Sequence, residues 1–343
     1  MNRYTSVLFI CEIVKKSTKI LVGLCLSFLL IKDMPILAGI PLVRTKRNQV
    51  RCNPSGRIMS PGDKRFEVGS LLCDREKLEI FNGGSIKFLC FSTGKVLDLS
   101  SGVFSSDECA KPDSFRSACY IGNRYFCQRT PKGGAEGNDE PTIIYPYTMS
   151  TLKSRPEIVW FPVKGTTSYK VKLDCHEFDW ERVVNETKLV YPSKEKPLPS
   201  GQTCQILVFA YKNDKITGGD SSVISLLPQD EITRIKDAVE QISKLKLPPD
   251  EAALDTDAVF TSRGLLDETI EKLNNVVAAG TRNPTIYRVL GDRYFQVDMR
   301  DEAKHQYLKA AELLKTNNNP AELKKVQEGL KLVELHNQLP TRR

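Results

Sequence analysis

Covalent chemistry in this chain would have to come from ten cysteines and three histidines among its 343 residues. Cys11 and Cys25 lie in an N-terminal leader, which leaves Cys52, Cys73, Cys90, Cys109, Cys119, Cys127, Cys175 and Cys204, an even number. No two cysteines stand as C-x-x-C, and His176, His305 and His336 do not complete a ligand set. Zinc would want closely spaced cysteine pairs or cysteines combined with histidines, so no metal is expected. Paired thiols are the remaining chemistry, and they call for an oxidising compartment. Cys175-His176 places a nucleophile beside a base, but adjacent residues on a strand point to opposite faces. The pair therefore does not form a catalytic dyad. Without a nucleophile motif or a glycine-rich phosphate loop, the chain reads as a non-enzyme that needs no cofactor. Two aromatic pairs, Tyr145 with Tyr147 and Tyr120 with Tyr125, could stack on sugar rings.

These residues must be held by folded elements, and composition allows for that. With 40% hydrophobic and 27% charged residues the chain is ordinary for folded protein, and its length suits two or three domains. Residues 1–38 differ: Arg3, Lys15, Lys16 and Lys19 precede an uncharged run from 20 to 31, then Lys32-Asp33 and Ile36-Leu37-Ala38. That run is too short to cross a bilayer core of about 30 Å as a helix. It suits a signal peptide cut after Ala38. The alternative is an uncleaved anchor continuing to Val43, the only case in which a membrane becomes a partner. Residues 1–38 carry a net +3 of the total +8, so +5 remains on the rest. Such a balance is solvated surface, not a nucleic-acid footprint.

Residues 44–128 open with a basic, loop-like stretch, RTKRNQVRCNPSGR. The short runs FEVGSLLC, KLEIF, SIKFLCF and KVLDLS follow, with turns at Asp74-Arg75, Asn82-Gly83-Gly84 and Thr93-Gly94. A small antiparallel β domain stapled by cysteines is expected. Its alternation of glycines and short strands resembles the FecR-like β domains of bacterial envelope proteins. Residues 129–141, RTPKGGAEGNDEP, read as a linker.

Residues 142–228 contain Trp160, Tyr169, Leu198, Gly201 and the alternating set Ile206, Val208, Ala210. This order resembles a fibronectin type III domain, which implies a β-sandwich with the tryptophan on its second strand and the tyrosine on its third. Where that family has its corner tyrosine, this chain has Cys204. The resemblance makes the strands carrying Cys175 and Cys204 antiparallel neighbours, and so implies a disulfide between them. Asn185-Glu186-Thr187 also fits a glycosylation sequon.

Residues 229–343 switch to helical periodicity, beginning with Ile232, Ile235, Ala238, Val239, Ile242 and Leu245. From Pro284, the residues Tyr287, Leu290, Gly291, Tyr294, Ala303, Tyr307 and Ala310 stand at spacings that resemble a tetratricopeptide repeat of about 34 residues. A degenerate copy covers 250–283. There Asp257 replaces a small residue and Thr269 an alanine, so looser packing of its first helix is expected. The resemblance puts Thr285, Arg288, Asp292 and Phe295, with Glu251, Leu254, Ala258 and Thr261, along a groove. Phe295 would anchor a protein or peptide bound across 250–316, and Arg288 would orient it. In the alternative, two repeats make too short a groove, Arg288 and Asp292 pair at helical spacing, and Phe295 packs against the preceding domain.

The fold class is multidomain α+β: a cysteine-rich β domain, a fibronectin III-like sandwich and C-terminal helical hairpins. This order resembles secreted envelope proteins of cyanobacterial type, and implies an exported, secreted or periplasmic adaptor that recruits a protein. A carbohydrate- or wall-binding module using the aromatics of the β domains is the alternative.

Overall fold

The computed structural model describes residues 54–61, 67–80, 83–109, 120, 121, 124, 125, 140–317 and 319–338. The leader, residues 129–139, Cys52, Cys119 and Cys127 lie outside them. The described residues form an α+β protein of antiparallel sheets followed by helices.

The first β region contains β1 (Pro54–Pro61), β2 (Leu71–Cys73), β3 (Lys77–Ile80), β4 (Ile86–Cys90), β5 (Val96–Leu99) and β6 (Gly102–Ser105). Four of these form a sheet in the order β2-β1-β4-β5, while β3 pairs with β6. The expected turns hold residues with positive φ, Arg75, Gly83 and Gly94. The basic opening departs from the expected loop: its end, from Pro54, is a strand that pairs with both β2 and β4. Its character is hidden because Arg57, polar by type, is only 2% exposed. Cys90 is bonded to Cys109, and Cys73 is also disulfide-bonded.

Strand β4 links this region to the rest of the molecule. Ile86, Phe88 and Cys90 face a local core with Ile58, Leu78 and Phe104. Leu89 joins Phe91 just beyond the strand in a second core made largely of sandwich and helix residues. Successive side chains on a strand point opposite ways, so the end of β4 is buried on both faces. Further on, β7 (Tyr120–Ile121) pairs with β8 (Arg124–Tyr125).

The second β region packs two sheets face to face. One holds β9 (Ile143–Tyr145), β11 (Glu157–Trp160) and β14 (Lys188–Val190), in the order β14-β11-β9. The other runs β10-β16-β15-β12-β13, from β10 (Ser150–Thr151), β12 (Ser168–Cys175), β13 (Phe178–Val184), β15 (Thr203–Lys212) and β16 (Lys215–Leu226). Alternation on β12 buries Tyr169, Val171, Leu173 and Cys175, and on β15 it buries Cys204, Ile206, Val208 and Ala210. From the opposite sheet, Ile143, Ile158, Trp160 and Leu189 complete the core. Cys175 and Cys204 sit directly opposite each other in register, their Cα atoms 4.3 Å apart, and are bonded. Just after β14, Tyr191 is buried and donates its hydroxyl to the carbonyl of Lys196 at 2.7 Å. That bond pins the turn by which the chain leaves one sheet for the other.

The helices are α1 (Gln229–Lys244), α2 (Pro249–Thr261), α3 (Leu266–Ala278), α4 (Pro284–Gln296), α5 (Arg300–Leu314) and α6 (Pro320–Gln338). Helix α1 buries Ile232, Ile235, Ala238 and Ile242 in the same core as the sandwich. Asp230 lies in its first turn, while the N-cap position is Pro228 and no side chain caps it. Helices α2 and α3 share a cluster with α4, built on Ala253, Leu266, Ile270, Leu273, Ile286 and Leu290. A further cluster unites α4, α5 and α6 around Tyr307. There Tyr307 lies against Gly291 and Gly329: a β-carbon at either glycine would come within 2.8 Å and 2.5 Å, respectively, of its ring. Only glycine lets the two helices approach the aromatic so closely.

Candidate functional site

The residues expected to line the groove stand on α2 and α4, the first helices of the two hairpins. Thr285, Arg288 and Asp292 are half-buried on α4, as are Glu251, Leu254, Ala258 and Thr261 on α2. Phe295 departs from expectation. At 8% exposure it packs with Tyr287, Ala303, Tyr307, Ala310 and Val326. It is a core residue of the last hairpin and is not offered to a partner. Its place in the repeat suggested a groove position, but α6 closes over the cluster that contains it.

Arg288 is fixed from two sides. Its guanidinium donates to Asp292, one turn along α4, and to Glu322 on α6. Asp292 also accepts the Tyr307 hydroxyl at 2.8 Å. Arg288 and Glu322 are 34 residues apart, so they occupy the same place in successive repeats. A second repeat-to-repeat pair lies nearby, where Arg293 meets Asp257 through two bonds of 2.7 Å. This corrects the expectation of loose packing around Asp257. The carboxylate is 5% exposed and takes up a guanidinium from the next repeat in bidentate geometry. Thr269 is fully buried as well. The departures from small residues are filled by a charge pair and a hydroxyl.

The aromatics considered for sugar stacking fare differently. Tyr145 and Tyr147 meet edge to face with ring centroids 5.2 Å apart, and Tyr147 packs against the cluster of Ala253, Leu266 and Ile270. Both are half-buried at the junction of sandwich and helices, so they present no open platform. Burial, then Asp267, pushes the Tyr147 neighbourhood toward neutral phenols: Tyr145 is raised well above its usual value. Tyr147 is pushed up to about 12 by burial first and by the charges of Tyr294 and Asp267 after it.

Polar residues at this junction escaped the sequence reading. Asp267 and Glu268, in the first turn of α3, are 3% and 7% exposed. Asp267 accepts the backbone N–H of Tyr147 at 2.8 Å and the Thr148 hydroxyl at 3.2 Å. Glu268 accepts from the Thr151 hydroxyl at 3.0 Å and the Leu152 N–H at 2.6 Å. Acidic residues are common in a first turn because of the helix dipole, which masks them in sequence. The available signal was Asp267 standing three residues before Ile270, on the apolar stripe. Burial, reinforced by Glu268, pushes Asp267 up to about 7. Burial raises Glu268 too.

Arg57 reaches from β1 to Asp255 of α2, donating through Nη2 at 2.9 Å, and stands 3.6 Å from Glu251. Glu251, expected to face the groove, is thus partly engaged by the β domain. Among the described residues no helix is long and apolar enough to cross a membrane.

No protein-family model matches the chain, and no curated protein matches it. Among solved structures, the type III secretion chaperone SycD of Yersinia enterocolitica, in complex with a peptide of the translocator YopD, is similar at 18% identity with a TM-score of 0.27. The match covers 32% of this chain and 87% of that one. PcrH in complex with the chaperone binding region of PopD is similar at 17% identity with a TM-score of 0.26, covering 32% of this chain and 86% of that one.

Proposed function

We propose that this chain is an exported, non-enzymatic adaptor of the cell envelope that binds a protein or peptide along the half-buried residues of α2 and α4. The disulfides Cys90–Cys109 and Cys175–Cys204 support the compartment, since such bonds persist where thiols are oxidised. The strand order of the two packed sheets, with a tryptophan on β11 and a tyrosine on β12, supports reading the sandwich as fibronectin type III-like. Two helical hairpins closed by α6 support a short tetratricopeptide-like array. Its terminal helix keeps solvated residues on its outer side, as a capping helix must.

The observation that carries the reading is the posture of Arg288. A guanidinium held by Asp292 and Glu322, one turn along α4 from the half-buried Thr285, is already oriented before any partner arrives. Ordering such a side chain on binding would otherwise cost about 0.5–1.5 kcal/mol. The glycan reading is less favoured at Tyr145 and Tyr147, which meet each other and pack at the junction.

A photo-crosslinking residue placed at Thr285 or Leu254 of the full chain, in cells that export it, should trap one protein at both positions. The same residue at Val183, which is 60% exposed on the sandwich, should trap nothing at comparable yield. Crosslinking confined to position 183 would overturn the assignment.

A further inference from the structure

Residues 147–153 run as a strap over the first turn of α3, and both carboxylates there are spent on holding it. Asp267 takes Tyr147 and Thr148, and Glu268 takes Thr151 and Leu152. The second oxygen of Glu268 is buried with no hydrogen-bond partner. We propose that Asp267 and Glu268 form a proton-operated clasp between the sandwich and the first helical hairpin, closed while the pair holds a proton and loosened when both are ionised.

The surroundings of the strap are acidic. Glu271 on α3, Glu157 on β11 and Glu302 on α5 act, with Asp267, on Tyr145 or Tyr147, and Tyr294 of α4 stands with these phenols. Lys153 acts on the pair, but its ammonium is engaged 2.5 Å from Glu271. Two adjacent buried carboxylates facing so little positive charge cannot both ionise cheaply. The geometry also accepts a proton on Asp267. The Thr148 hydroxyl, 3.2 Å from its Oδ2, can receive it while donating onward to the Ser150 carbonyl at 3.4 Å.

Asp267 is raised in the folded protein to about 7, by burial first and Glu268 second. An acid raised on folding favours the closed form most below its ordinary value of about 3.9. That preference is lost as pH climbs through the folded value. Opening of the strap should therefore increase up to about tenfold per pH unit between pH 5 and 7 and level off above.

Hydrogen exchange of the Tyr147 and Leu152 amides, corrected for its intrinsic pH dependence, reads this opening in the full chain. The protection factor should fall across that window, and Asp267→Asn, which keeps an acceptor for Tyr147, should flatten the fall. A pH-independent protection factor in the unmodified chain, or an equally steep fall in Asp267→Asn, would overturn the clasp. If that variant fails to fold, carboxyl-carbon NMR of the unmodified chain decides instead. An Asp267 midpoint in the ordinary carboxylate range refutes the proposal, whereas one near neutrality that drops in Glu268→Gln supports it.

Discussion

Asp257 shows how a residue can break a repeat pattern and still belong to the core. Its carboxylate is matched to Arg293 in bidentate geometry with both partners largely buried. Removing one partner of such a pair strands the other charge, at about 3–5 kcal/mol, whereas replacing both with apolar residues is often neutral. Asp257→Ala should therefore destabilise the protein strongly in urea, and Asp257→Ala with Arg293→Met should recover most of the loss. Equal losses in the single and double variants would show that the pair contributes through something other than charge. The glycines around Tyr307 make the opposite point. Gly291→Ala puts a methyl 2.8 Å from the ring and 3.2 Å from the Ala303 carbonyl. Overpacking of this kind costs about 1–3 kcal/mol, more than the roughly 1 kcal/mol that alanine gains over glycine in a helix. The midpoint of denaturation should fall, and a rise would mean that Tyr307 can move aside.

Strands and helices differed in how readily their sequences declared them. Alternation on β15 marked Ile206, Val208 and Ala210, and those residues are buried. The spacing from Pro284 placed α4 and α5, because small and aromatic residues must interlock there. Strand β1 was not legible, since two prolines, a glycine and Arg57 contradict strand composition. Its pairing is supplied by β4 and its buried charge by Asp255, both distant in sequence. The same limit applies to the site. Arg288 and Asp292 could be placed on one face from spacing, but Glu322 and the closure of α6 over Phe295 are tertiary facts. At this scale the Cys175–Cys204 bond joins two paired strands across a sequence separation of 29. Closing such a loop is worth about 3–4 kcal/mol on the chain-entropy model. Cys175→Ala with Cys204→Ala should lower the unfolding free energy by that amount, while β12 and β15 stay paired through their buried faces. A negligible change in denaturant midpoint would place the stabilisation elsewhere.

Across the whole molecule, modules that read as separate in sequence share their interiors. Leu89 and Phe91 from the first β region, Trp160 and Val208 from the sandwich, and Ile235, Ala238 and Val259 from the helices belong to one apolar core. Buried polar contacts reinforce it: Arg57 binds Asp255, Arg263 reaches the Thr93 carbonyl, and Asp267 and Glu268 hold the 147–153 strap. The proposed adaptor role relies on this fixing of the helical end, which carries Thr285 and Arg288 on α4. Exposing α1 by cutting the chain would uncover Ile232, Ile235 and Ile242 together, so the helical part should not behave as an independent unit. Scanning calorimetry of the disulfide-intact protein tests this most directly. A single endotherm is expected, with calorimetric and van't Hoff enthalpies in agreement, and Arg57→Ala should shift that whole transition downward. Two or more separable transitions, with the helical end melting alone and unaffected by Arg57→Ala, would contradict it.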